Sequence, residues 1–113
     1  MHLLIIILYR EDLLDEVLSG LVEMEVTGAA VLDGTSEERV LSEDVPIFAG
    51  LFSTTGGTAH TRTNLASVPD RTVLPPLVAH LEEVGVDLRD PEVGRLFALP
   101  VDFYHGPNAE TGG

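Results

Sequence analysis

One pattern is written twice along this chain of 113 residues: an apolar, β-branched run, an amphipathic helical stripe, and a second apolar run. The first round covers residues 3–9, 12–24 and 27–33, and the second covers residues 60–68, 73–84 and 95–101. In the first helix Leu13, Leu14, Val17, Leu18, Leu21 and Val22 fall on one stripe, with Glu11, Asp15, Glu16 and Glu23 elsewhere. In the second the stripe is Leu74, Leu77, Val78, Leu81 and Val84, with Glu82 and Glu83 facing water. Pro75 and Pro76 are tolerable there only in the first turn.

Two strand–helix–strand units of this length predict an α+β fold, a ferredoxin-like double βαβ sandwich with one antiparallel sheet and two helices on one face. The other face is then bare within the chain, and a partner is expected to cover it. His2-Leu-Leu-Ile-Ile-Ile-Leu-Tyr9 is continuously apolar, as in a central strand buried on both faces. Asp12 is placed to cap the first helix, Asp70 to Thr72 open the second, and Gly85 closes it. Gly20, inside the first helix, reads as a point of close packing against the sheet. Asp33-Gly34 is a turn signal ending the second strand, and Pro100 suits an edge or a strand end. Between the units, residues 35–44 are polar, 45–52 are apolar with Pro46 fit for the first turn of a short helix, and 53–58 form a flexible connection. Residues 1–104 are expected to form one domain, and 105–113 a disordered tail.

Net charge is −13, and all six basic residues are arginines. An acidic surface repels phosphate backbones, so nucleic acid is not an expected partner. No apolar run approaches the roughly 20 residues of a membrane span, and no basic leader precedes the first run. The protein is therefore expected to be cytoplasmic without membrane insertion. The absence of cysteine excludes disulfides, thiolate metal sites and cysteine catalysis.

Several segments together carry a resemblance. Val31-Leu-Asp33, a variable stretch ending in Arg39-Val-Leu41, then Glu43-Asp-Val-Pro-Ile-Phe-Ala-Gly-Leu51, and later Gly94-Arg-Leu-Phe-Ala-Leu-Pro-Val-Asp102 resemble the PII superfamily of signal-transduction proteins, in its divergent PII-like members. The resemblance covers residues 3–52 and 58–103. It implies a homotrimer with the sheets lining a central cavity and the helices outside. It also implies a regulatory, non-enzymatic role: small ligands, often adenine nucleotides, bind in clefts between subunits, and the loop 34–58 docks onto a transporter or an enzyme. The implied ligand-binding residues are Gly34, Arg39, Arg62, Arg89, Gly94 and Arg95, with no resident cofactor. Where nitrogen-regulatory members end the loop before the last strand in Gly-Lys, this chain has Arg89-Asp-Pro-Glu-Val-Gly-Arg95. Pro91 removes a donor and Glu92 adds a repelling charge. The modified tyrosine of the family's long loop has no counterpart, since residues 34–52 contain none.

The residues themselves leave other readings open. Arginines suit bidentate binding of an anion, yet equally pair with neighbouring carboxylates. Gly56-Gly57 among threonines is either an anion nest or a flexible turn, and no Walker motif is present. His2, His60, His80 and His105 show no ligand spacing; His80 with Glu82 or Glu83 is by itself a weak helical pair, and a CutA-like metal-binding trimer would depend on His60 or His80. There is no nucleophile elbow and no Ser-His-Asp cue. A dimeric ferredoxin-like enzyme and an interaction module without a small ligand remain alternatives.

Overall fold

A computed structural model of the chain describes residues 1–37, 40, 41 and 60–107. Strand β1 (His2–Leu8) leads through a 3₁₀ turn (Glu11–Leu13) into helix α1 (Leu14–Glu23), followed by β2 (Ala30–Thr35). Strand β3 (His60–Val68) leads through a second 3₁₀ turn (Arg71–Val73) into α2 (Leu74–Glu83), followed by β4 (Gly94–Pro100). The sheet order is β2-β3-β1-β4, every neighbouring pair antiparallel. This α+β arrangement, with the longest apolar strand at the centre, is compatible with a ferredoxin-like sandwich.

Alternation along the strands separates the two sheet faces. On one face Leu4, Ile6 and Leu8 of β1 join Val17 and Leu21 of α1 and Leu77 and Leu81 of α2 in a single buried core, so both helices lie on that side. Each such side chain contributes about 1.5–3 kcal/mol on full burial. On the other face, cross-strand partners form the rows Leu32–Thr63–Ile7–Arg95, Ala30–Leu65–Ile5–Phe97 and Ser67–Leu3–Leu99. None of these belongs to the buried core, and Leu32, Phe97 and Leu99 remain 44–49% exposed.

The helices end alike. After α1, Val26 N–H donates to the Leu21 carbonyl (2.8 Å) and Glu25 N–H to Val22 (2.9 Å). After α2, Val86 donates to Leu81 (2.8 Å) and Gly85 to Glu82 (3.1 Å). Both are Schellman motifs, each folding a valine back into the core. At the start of α2, Thr72 N–H donates to the Asp70 carboxylate (2.7 Å), and the prolines occupy the first turn.

Four local expectations change. Asp12 does not cap α1; it pairs with Arg10, whose Nε–H donates to Asp12 Oδ1 at 3.1 Å. Gly20 is set by helix–helix packing, not helix–sheet packing, because a Cβ there would stand 2.9 Å from Leu81 Cδ2 on α2. Asp33-Gly34 is not a turn. Strand β2 runs through both to Thr35, since Gly34 leaves room for the Thr61 hydroxyl opposite it. The strand also begins later than residue 27, because Glu25 and Gly28 both take positive φ before it. The expected short helix at 45–52, the connection 53–58, Arg39 and residues 108–113 lie outside the described residues.

Candidate functional site

Chain directions put three connections at one end of the sheet. Strands β1 and β2 finish there, while β3 and β4 begin there. The residues between β1 and α1, after β2, and between α2 and β4 therefore share that end, and most of the residues singled out in the sequence gather on it.

Gly94 lets β4 start against β1. A Cβ at this position would overlap the Ile7 carbonyl, and just beyond it Tyr9 N–H donates to Val93 O at 3.0 Å. The connection leading into β4 is held by its own carboxylates. Asp87 accepts from the Arg89 backbone N–H (3.0 Å), and Asp90 accepts from that of Glu92 (2.9 Å).

The arginines differ sharply in how committed they are. Arg89 makes a two-pronged pair with Asp87, Nε–Oδ1 3.0 Å and Nη2–Oδ2 3.1 Å, and approaches Glu82 at 3.8 Å. Its guanidinium holds the Asp87 carboxyl below the ordinary aspartate range. Arg62, on the helix-covered face, lies between two carboxylates. It donates to Glu11 (3.2 Å) and pairs with Asp33 directly across from it on β2. Arg10 is held by Asp12, whose carboxyl it lowers in turn. By contrast Arg95, exposed on the bare face of β4, has no carboxylate partner among the described residues.

Asp33, Arg62, Leu8 and Gly94 form one row across the sheet, with Gly34 and Arg95 one step to either side of it in their own strands. They share an end but not a pocket. Arg62 points to the helix side and Arg95 to the bare side, with β1 between their strands. A single chain therefore assembles no multi-arginine anion pocket from the described residues. That Glu11 and Asp33 neutralise Arg62 is not visible in the local sequence around any of the three. Strand register was the signal needed, because Asp33 and Arg62 are 29 positions apart.

Groups of three or more metal-ligating side chains are absent among the described residues. A shallow groove of about 430 Å³ lies on α2, lined by Arg71, Leu74, Pro75, Val78, Ala79 and Glu82, and it begins at the opposite end of the sheet. Among the described residues, no helix is long and apolar enough to cross a membrane. No protein-family model matches the chain, and no curated protein matches it.

Proposed function

We propose that the chain is a PII-like, non-enzymatic regulatory protein. It self-associates as a homotrimer through the bare sheet face and binds a small anionic metabolite between copies, an adenine nucleotide being one candidate. In this reading the segment 34–58 carries the ligand state to a transporter or enzyme, as an order–disorder switch.

Arg95 is the observation that supports the reading best. It is an exposed guanidinium without a carboxylate partner among the described residues, on a sheet face whose other described strand residues are apolar or hydroxyl-bearing, at the end where three connections gather. A guanidinium that no described carboxylate engages, in a chain of net charge −13, suits an external anion. The distribution of arginines over both faces favours a site completed by a neighbouring copy.

The test is a thermal-shift panel on the full chain with ATP, ADP, AMP, cyclic nucleotides, 2-oxoglutarate and bicarbonate. A ligand at a hundredfold its dissociation constant adds about 2.7 kcal/mol, several degrees in a domain of this size. The expected result is a shift with one of these anions that disappears in Arg95→Ala. A panel that is flat throughout overturns ligand binding and favours an interaction module.

A further inference from the structure

We infer that ionic strength gates self-association through the bare sheet face: copies separate in dilute salt and assemble in concentrated salt. The inference rests on the self-association proposed above and adds its control.

Charge placement carries the argument. About one residue in six is acidic, 19 of 113, yet among the described residues the strands place no carboxylate on the bare face of the sheet. Among the described strand residues its one charge is Arg95. The sheet's own strand carboxylate, Asp33, lies on the helix side, and α1 and α2 carry Asp15, Glu16, Glu23, Glu82 and Glu83. A basic protein would be recognised through carboxylates, and the described residues of this face offer none. A nucleic acid or an anionic membrane needs clustered cations, and this face offers a single arginine. A second copy of the same chain meets both conditions, since apolar side chains are buried against apolar side chains and no carboxylate is desolvated.

Neutrality of the face does not remove the repulsion between whole chains, each bearing −13. Copies that meet through their bare faces turn their helix layers outward; with layers about 10 Å thick, the carboxylates of neighbouring copies lie a few tens of Å from one another. That separation is comparable to the Debye length at 0.01 M salt, about 30 Å, and far exceeds the roughly 3 Å at 1 M. Dilute salt thus leaves a substantial part of the monopole repulsion opposing association, and concentrated salt cancels it while the short-range apolar contacts persist.

Sedimentation velocity on the full chain, from 0.01 to 1 M sodium chloride at pH 7, tests this, with far-UV circular dichroism defining the folded range. The expected result is monomer at the dilute end and an association constant at least roughly a hundredfold larger at the concentrated end. Sodium perchlorate at equal ionic strength screens equally without strengthening apolar burial, and should give the same rise. Phe97→Asp, which plants a carboxylate in the exposed part of the face, should remain monomeric throughout; Leu99→Glu is the alternative if it does not fold. An oligomer at every salt concentration overturns the gating and leaves self-association standing. A monomer at every concentration overturns both. A rise confined to chloride overturns screening as the cause, and a Phe97→Asp variant that assembles like the parent overturns the choice of face.

Discussion

Glu25 holds the place after α1 that Gly85 holds after α2. Both residues take positive φ, 61° and 94°, and both sit in the same pair of backbone hydrogen bonds. A side chain in this left-handed conformation is strained by about 1–2 kcal/mol, partly offset by the lower chain entropy of a non-glycine residue when unfolded. Glu25→Gly is therefore expected to raise stability by about 0.5–1 kcal/mol, read as a higher urea midpoint at unchanged slope. Asn64 is a second local misfit. It is 1% exposed on the helix-covered face of β3, its Nδ2 reaches the Ile6 carbonyl only at 3.4 Å, and its Oδ1 has no partner. A buried acceptor left unsatisfied costs about 1–3 kcal/mol, whereas an apolar side chain of similar volume costs nothing of that kind. Asn64→Val, nearer to asparagine in volume and suited to a strand, should stabilise by about 1 kcal/mol in the same denaturation experiment; a loss of stability would show that the amide is worth more in place than its visible contacts indicate.

At the scale of elements, periodicity carried most of the information. The stripe Val17, Leu21 and the stripe Leu77, Leu81 are the helix faces that enter the core, and the run from Leu3 to Leu8 is the central strand. Expectations failed where a residue's meaning depended on what lay across from it. Gly34 reads as a turn until Thr61 is opposite, and Gly20 reads as helix–sheet contact until Leu81 is beside it. The candidate site was legible as a set of arginines and glycines but not as a geometry. Whether an arginine is free or committed follows from register, which a local pattern does not contain. Asp70, at the start of α2, shows an element-scale consequence. Hydrogen bonds from the Thr72 side chain and backbone hold its carboxyl below the usual aspartate range. A folded-state pKa below the unfolded value gives stability that is fully present above about pH 4 and is lost as pH falls through the folded pKa. Asp70→Asn keeps an accepting oxygen but does not titrate. The gap in Tm between parent and Asp70→Asn is expected to be constant from pH 7 to 5 and to narrow below pH 4; a gap independent of pH would remove Asp70 from the acid response.

For the whole molecule, the sheet order ranks the strands by stability. Strand β1 is hydrogen-bonded on both sides along its length, to β3 and to β4, and its Leu4, Ile6 and Leu8 are fully buried beneath both helices. Among the described residues strand β2 has one neighbour, and its residues are exposed apart from half-buried Gly34. Opening β2 gives up one ladder and little buried apolar area, whereas opening β1 dissolves the core, so the two should belong to different cooperative units. Native-state hydrogen exchange in dilute salt should give amides of Leu4, Ile6 and Leu8 a protection free energy equal to that of global unfolding. The amides of Val31 and Asp33 should exchange through a smaller, local opening. Equal protection of β1 and β2 would mean that the domain unfolds only as one body. Raising the salt extends the comparison, because association through the bare face shields Phe97 and Leu99. Slower exchange along β4 at 1 M salt, without a matching change in the Phe97→Asp variant, would tie the stability of this edge strand to the neighbour that covers its exposed face.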